Sequence, residues 1–391
     1  MNATTTAGEG NSKGALYLSM ELSARDWKLG FTVGMAQKVR RRRIGAGDTR
    51  ALSVEIGRAK QRFGLADEAR VFSCYEAGAD GFWLHRYLSA QGLHNIVLDS
   101  ASIQVDRRKR RAKSDGLDVQ ALVVLLLRYH GGEPKVVRVV RVPPEEIEDV
   151  RQLHRELDTL KHERTAMRNR IRGLLATQGV KLASWRRVDL QLERMRRWDG
   201  SAFGPQLKAR IGREVERLEV LARQIRALES EQCEVLSAPQ SSDEPTWVTM
   251  TRRLQQLRGI GVSSARVLVV EAFAWREFRN RRQVGGLIGL TPTPFQSGDS
   301  NHEQGISKAG NVWMRRRSVQ LAWMWLRWQP GSELSREFNR QYGPLSSRQR
   351  RVGIVKLARK LMIALWRYTT SGEVPQGASL SRSPAELDQA A

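Results

Sequence analysis

The chain has 391 residues, and its 66 Lys and Arg against 41 Asp and Glu leave a formal charge of +25; the length predicts two or three domains, and arginines spread along almost the whole chain point to a polyanionic partner. Membrane-surface proteins concentrate charge on one amphipathic helix, so nucleic acid is the favoured partner. Cys74 and Cys233 lie far apart without metal-ligand spacing, which excludes a disulfide framework and a zinc site, while small polar leading residues and the want of a long arginine-free apolar stretch exclude a signal peptide and a membrane span, so a soluble, cytoplasmic protein is expected.

Residues 1–14, "MNATTTAGEGNSKG", read as a disordered lead. "ALYLSMEL", "WKLGFTVGM" and "QKVRRRRIGAG" are three β-prone segments with tight breaks, an antiparallel meander. A helix over about 48–63 follows, then the strands "ARVFSCYEAG" and "HNIVLDS" around the helical "DGFWLHRYLSAQG", and then a helix starting near Ser114. This βββαβαβα order predicts an α/β domain with a mixed sheet over 15–143. Glu21 stands near the end of the first strand and Glu76 at the end of "VFSCYE", where a strand edge hands a side chain to the top of the sheet. Asp115 and Asp118, at i and i+3 on the following helix, share one face and can converge on a cation. Acidic residues in a first turn also offset the helix dipole and cap the helix, so on this pair alone the structural role stays open. Four carboxylates around one spot in so basic a chain suit Mg²⁺ or Mn²⁺ poised on phosphates, the logic of two-metal phosphodiester chemistry. Arg110, Arg111 and Lys113, directly before the paired Asp, are candidate nucleic-acid contacts.

From residue 144 to 244 the sequence turns helical and charged. Val150, Leu153, Leu157, Leu160, Arg164, Met167, Ile171 and Leu174 alternate spacings of three and four, an a/d seam. A second stretch over about 205–237 carries Ile211, Val215, Leu218, Ile225 and Leu228, and the two can pair as an antiparallel hairpin or with other protomers. Residues 245–372 read as mainly helical and 373–391 as a flexible tail. In "LRGIGVSSARVL" the residues Arg258, Gly259 and Gly261 fit a helix-hairpin-helix turn on a phosphate or a plain glycine-capped connection. Ser297 in "FQSGDS" sits beside Gly in a polar loop, the setting of an ordinary turn residue, with Ser300 and Ser307 as competitors. Lys308, Arg315, Arg316 and Arg317 follow it and either clamp a phosphate or form a solvated basic face. Trp313, Trp323, Trp325 and Trp328 read as core or protomer contacts ahead of base stacking, and the six histidines and the lack of a Walker-type loop give no metal or ATP motif, although His302 lies close to Ser297.

"YEAGADGF", "KSDGLDVQAL" and "LRGIGVSSARVL…GLIGLTPTPFQSG…ISKAGNVWMRR" in this order resemble the bacterial insertion-sequence transposases that join an Asp-Glu-Asp-Asp domain of RuvC-like, RNase H fold to a coiled coil and a serine-bearing transposase domain: the bridge-RNA-guided recombinases, relatives of the Piv-type DNA invertases. The resemblance covers about residues 15–372 and departs at one position, where the family's first Asp is Glu21; Asp26, five residues on, is the nearest Asp but fits the register less well. It implies Ser297 as nucleophile on a DNA phosphodiester, Mg²⁺ on Glu21, Glu76, Asp115 and Asp118, and a homo-oligomer, a dimer of dimers, acting on target and donor DNA with a guide (bridge) RNA near the bacterial nucleoid. The rival readings are a metal-dependent RuvC-like junction nuclease without a covalent intermediate, and a catalytically decayed nucleic-acid-binding assembly protein in which Glu21 marks the decay.

Overall fold

The computed structural model describes residues 14–79, 81–103, 115–186, 188–297 and 300–381, with the backbone alone for residues 101, 115–118, 189, 293–297 and 300–304. Arg110, Arg111, Lys113 and residues 1–13 of the expected lead lie outside the described residues. The chain divides at Val142/Pro143 into two units.

In unit one the meander is β1 (Leu16–Leu22), β2 (Asp26–Thr32) and β3 (Arg40–Gly45), followed by α1 (Thr49–Arg62), β4 (Val71–Glu76), α2 (Trp83–Ala90), β5 (His94–Leu98) and α3 (Asp115–His130). The sheet order is β3-β2-β1-β4-β5, with β1/β4 and β4/β5 parallel and the meander antiparallel. The mixed α/β sheet expected from the order of elements is present. Alternation along the strands explains its two faces. Leu16, Leu18 and Met20 of β1 with Trp27, Leu29 and Phe31 of β2 pack on Leu52 and Ala59 of α1 and Leu84 and Leu88 of α2. Fully burying each such aliphatic side chain contributes about 1.5–3 kcal/mol. Asp48 starts α1, its carboxylate accepting from the Ala51 amide at 2.8 Å.

The opposite face belongs to α3, whose Leu122 and Leu126 pack with Cys74, Leu98 and Val137. Two contacts fix its height: Ser19 Oγ donates to the Val119 carbonyl at 2.7 Å, and Cys74 Sγ to the Leu122 carbonyl at 3.6 Å. Gly30, opposite Ser19 in the β1/β2 register, makes this approach feasible. A Cβ there would stand 2.4 Å from Val119 Cγ1 and 2.9 Å from Ser19 Oγ.

In unit two α4 (Glu145–Ala176) and α6 (Pro205–Ser237) flank the short α5 (Val188–Arg194). They run antiparallel, because Arg170 meets Glu214 at 2.8 Å while Lys161 meets Glu229 at 2.7 Å. The hairpin alternative therefore holds within one chain. The seam departs from the expected one in the first half of α4: Ile147, Arg151, His154 and Leu157 are buried there rather than Val150 and Leu153. Hydrophobic spacing could not show this, since two of the buried positions are polar and are satisfied by partners far along the chain.

The remainder is α7 (Thr246–Gln255), α8 (Val262–Leu268) running into one π turn (Val269–Phe273), α9 (Arg281–Ile288), β6 (Pro292–Ser297), β7 (Ser300–Ile306), α10 (Val312–Trp328), α11 (Glu333–Tyr342) and α12 (Ser347–Ser371). The β6–β7 hairpin replaces the loop expected around Ser297. Its sequence, "PTPFQS" and "SNHEQGI", is poor in β-formers, and Pro292 and Pro294 are admitted by a register irregularity in a two-stranded sheet that is all edge. Part of the expected tail is tied down, with Ser379 N donating to Gln329 Oε1 at 2.7 Å and Ser381 N to the Gln256 carbonyl at 2.6 Å. No helix among the described residues is long and apolar enough to cross a membrane.

Gly30→Ala is expected to lower stability by about 1–3 kcal/mol through overpacking against α3. Urea unfolding of the full chain checks this, and Val119→Ala in the same chain should recover part of the loss.

Candidate functional site

The register of unit one places its acidic residues. Ser19 pairs with Cys74 and Met20 with Tyr75 in the parallel β1/β4 ladder, so Glu21 and Glu76 are the next residues on each strand, side by side at the carboxyl ends. By alternation they share the face of Ser19 and Cys74, which is the α3 face. The helix direction follows from its two ends: Val119 meets Ser19, whereas the His130 ring packs tilted on Phe72 with centroids 4.2 Å apart and lies 6.3 Å from Tyr17, at the strand beginnings. The Asp115 end of α3 therefore points to the carboxyl ends of β1 and β4. Asp118 adjoins Val119, and Asp115 lies about 6 Å further along the helix axis.

Glu21 has a cation across the ladder, Lys28 Nζ at 3.8 Å. Glu76 is exposed. Asp26 is set apart from both, because its carboxylate is held by the Arg43 guanidinium and lies in the Ser23 turn. Asp99, one residue beyond β5 and not singled out in the sequence, faces Arg138 at 3.7 Å. Among the described residues no three His, Cys, Asp or Glu gather as a metal site; the side chains of Asp115 and Asp118 are outside that description. The donor set fits a hard divalent cation in its chemistry, being carboxylate oxygen only.

In unit two Ser297 is the last residue of β6 and pairs with Ser300. The hairpin rises from a close backbone crossing. A Cβ on Gly289 (φ +64°) would stand 2.0 Å from the Ala309 carbonyl oxygen, and one on Gly310 (φ +94°) 2.2 Å from that of Leu287. Ser307 N donates to the Thr291 carbonyl at 2.9 Å and Asn311 N to that of Leu287 at 2.7 Å. Lys308, with φ +53°, is the only non-glycine residue in the left-handed region among the described residues. Strain of this kind, of order 1–3 kcal/mol, persists only where the surroundings over-determine it. Here Arg315 Nη1 donates to the Lys308 carbonyl at 2.8 Å.

Beneath this crossing lies a group that the sequence reading missed. Glu271, 1% exposed in the π turn, accepts from His154 Nε2 at 3.0 Å, from Arg155 at 3.0 and 3.1 Å, and from Asn311 Nδ2 at 2.7 Å. Asn311 also caps α10, its Oδ1 accepting from Met314 N at 3.0 Å. Arg151 reaches the same turn through the Val270 carbonyl at 2.9 Å. Burial opposes ionisation of Glu271, but the His154 hydrogen bond with Arg151 and Arg155 outweighs it and holds the carboxyl down to about 2. Burial likewise lowers His154, against the hydrogen bond and charge of Glu271, which pull it the other way. The available signal was a lone carboxylate within the apolar run "VLVVEAFAW".

The expected phosphate turn is a bend between α7 and α8 whose glycine freedom is used internally. Gly259 (φ +91°) packs on Trp328, where a Cβ would stand 2.7 Å from Trp328 Cβ, and Gly261 is the extended N-cap of α8. Arg258 lies over the Trp328 ring at 5.7 Å. Of the four tryptophans, Trp325 is buried and donates to Ser332 Oγ at 2.8 Å, whereas Trp323 and Trp328 are partly exposed. Arg316 faces Asp158 at 3.8 Å and Arg317 donates to Gln320 at 3.2 Å.

Unit one thus carries carboxylates at the ends of two parallel strands, and unit two a serine-bearing hairpin rooted beside Lys308 and Arg315, in a chain of charge +25. A family model described as the IS116/IS110/IS902 transposases matches residues 251–336, from α7 through the hairpin into α11. The chain is 41% identical over 379 residues, 93% of its length and 94% of the relative's, to the putative transposase y4rJ of Sinorhizobium fredii. It is 26% identical over 304 residues, 76% of its length and 84% of the relative's, to the transposase for insertion sequence element IS1328 of Yersinia enterocolitica. With the transposase for IS1111A of Coxiella burnetii it shares 29% over 204 residues, 52% of each chain. The chain belongs to the IS116/IS110/IS902 family of transposases.

The acid response of unit two follows from Glu271 and His154. A carboxyl lowered from 4.5 to about 2 stabilises the fold fully above pH 4.5 and loses that contribution as pH falls toward 2. His154, lowered from 6.5, adds a contribution that is present above 6.5 and is lost as pH falls through its folded value. Glu271→Gln is expected to cost about 3–5 kcal/mol at neutral pH, as breaking a buried pair does, and to flatten the acid slope below 4.5. Denaturant unfolding across pH reads both.

Proposed function

We propose that the chain recombines DNA through a phosphoserine intermediate, with Ser297 as nucleophile and Mg²⁺ or Mn²⁺ held by Glu21, Glu76, Asp115 and Asp118. The carrying observation is the direction of α3, whose Asp115 end points to the strand ends that bear Glu21 and Glu76. A mixed sheet with its meander on one side and two parallel strands on the other, in the order β3-β2-β1-β4-β5, supports an RNase H-like, RuvC-type reading of unit one.

In the chemical step the Ser297 hydroxyl gives up its proton and forms the Oγ–P bond. The bridging bond from phosphorus to one sugar oxygen breaks, and that oxygen leaves as a hydroxyl. Attack by a second DNA hydroxyl on the phosphoserine reverses the exchange and frees Ser297, so the bond energy is kept for rejoining. A divalent cation, when bound, supplies charge stabilisation for the developing phosphorane. Lys28, across the ladder from Glu21, balances that carboxylate. Lys308 and Arg315, at the hairpin base, present cationic side chains on the same segment as the nucleophile. Because Ser297 and the acidic residues lie in different units, the reaction requires them to meet on one phosphodiester, within a chain or between protomers. We further propose a homo-oligomer, a dimer of dimers, guided on target and donor DNA by a bridge RNA and acting at the nucleoid; the net charge of +25 supports a large polyanionic load.

Incubation with supercoiled DNA carrying the element's ends and Mg²⁺, followed by denaturation, is expected to leave protein covalently on DNA. Ser297→Ala should abolish the adduct, and Asp115→Asn with Asp118→Asn should lower it by at least a hundredfold. Clean hydrolysis by Ser297→Ala would instead establish the junction nuclease, and binding without cleavage by the wild-type chain would establish the decayed assembly protein. Sequencing of co-purified RNA should return one dominant species that resists moderate salt.

A further inference from the structure

Between α4 and α10, at the root of the β6–β7 hairpin, unit two holds a cleft of about 610 Å³. Its floor is apolar: Val267 and Leu290 are buried, and Ile306, Val319 and Val355 are partly so. Its rim is cationic, with Lys161 and His162 on α4 and Arg315, Arg316 and Arg317 on α10, against Asp158 as the one carboxylate among the described lining residues. Trp313 forms a wall. The Trp313 ring is fixed edge-on to His154, with centroids 6.0 Å apart and planes at 89°, and His154 is itself anchored by Glu271 at 3.0 Å. The aromatic surface is therefore held in place before any ligand arrives.

A bare phosphate would have no use for the apolar floor, and an apolar helix would have to strip water from the rim cations without pairing them. An unstacked nucleotide satisfies both parts, since its base has a face for an aromatic ring and its phosphate accepts bidentate arginine contacts. Arg315 is engaged with the Lys308 carbonyl but keeps further N–H donors. Arg317 is half-buried, its guanidinium lowered by burial and partly restored by Asp158.

We propose that this cleft receives one extruded nucleotide of the DNA substrate, its base laid against Trp313 over the apolar floor and its phosphate held by Arg315 and Arg316. DNA is chosen over RNA because Ile306, which lines the cleft, ends the strand that begins at Ser300 beside Ser297. That strand spans about 20 Å, so on the reading of Ser297 given above the extruded base lies about six base steps from the scissile phosphate. Extrusion of a base needs unstacking energy, which the aromatic wall returns.

The test uses the full chain in EDTA, so that no cleavage chemistry is read and Ser297 is not at issue. Fluorescence anisotropy compares labelled (dT)8 with an octamer of the same backbone lacking bases. Trp313→Ala is expected to weaken (dT)8 binding about tenfold and to leave the abasic octamer unchanged, while Trp313→Phe keeps most of the affinity. Arg316→Ala, an exposed rim change that gives up only the 3.8 Å approach to Asp158, should weaken both octamers alike and reduce the salt slope by about one. Equal losses on both octamers for Trp313→Ala, or an unchanged affinity in either variant, would overturn the assignment. A larger loss on (rU)8 than on (dT)8 would overturn the choice of DNA, and competition by an acidic octapeptide dependent on Trp313 would move the cleft to a protein partner.

Discussion

Everything that unit one offers to chemistry depends on how closely α3 can lie on the sheet. A helix normally rests on a sheet through interleaved side chains, but here Gly30 and Ser19 remove that cushion and the helix settles until its own carbonyl accepts from the Ser19 hydroxyl at 2.7 Å. The consequence is positional. With Val119 pinned at Ser19, the first turn of α3 has no choice but to face the next outward positions of β1 and β4, which are Glu21 and Glu76. A bulkier pair at the notch would raise the helix and tilt the Asp115 end away from the ends of β1 and β4.

Unit two solves a related problem with a buried charge in place of a notch. Removing Glu271 from water is expensive, and that expense is offset only because several donors from two distant segments converge on it. Each of those donors belongs to something else: His154 and Arg155 to the long hairpin helix, Asn311 to the start of α10. The carboxylate thus sets the long helix, the π turn and the hairpin root in one register. Widening the helix by one residue at the π turn is what brings Glu271 to this point, a placement consistent with the frequent occurrence of such bulges at functional places. The same node orients Trp313, so the shape of the neighbouring cleft is inherited from the hydrogen bond between His154 and the buried Glu271.

The order of elements in unit one was legible because its strands alternate and its helices are bounded by glycine and polar breaks, and the strand-end position of Glu76 followed from that order alone. The local seam of α4 was legible only where it is apolar, at Leu157 and Ile171; where Arg151 and His154 are the buried residues, spacing rules count them as surface. The hairpin bearing Ser297 was hidden for a different reason. Its strands hold together through backbone pairing and an anchored root, neither of which leaves a hydrophobic period in "PFQSGDSNHEQGI". Likewise the glycines at 259, 289 and 310 signal a turn in sequence, but only the structure shows that each serves close approach to this chain's own atoms.

The distribution of carboxylates separates structural acids from available ones in a chain with so large an arginine surplus. Glu55 is met by Arg40, Arg42 and Arg58, Glu214 by Arg170 and Arg217, and Asp26 by Arg43. These acids are each offset by arginines within the fold. Glu76 differs, being exposed at the end of a central strand, the place where parallel sheets present groups to ligands. In a protein of charge +25 the repulsion among cations favours drawing every nearby acid into a pair. Glu76 nevertheless stays at the sheet's end with its side chain toward water, one strand away from Glu21 and at the same level, where Lys28 faces the second carboxylate.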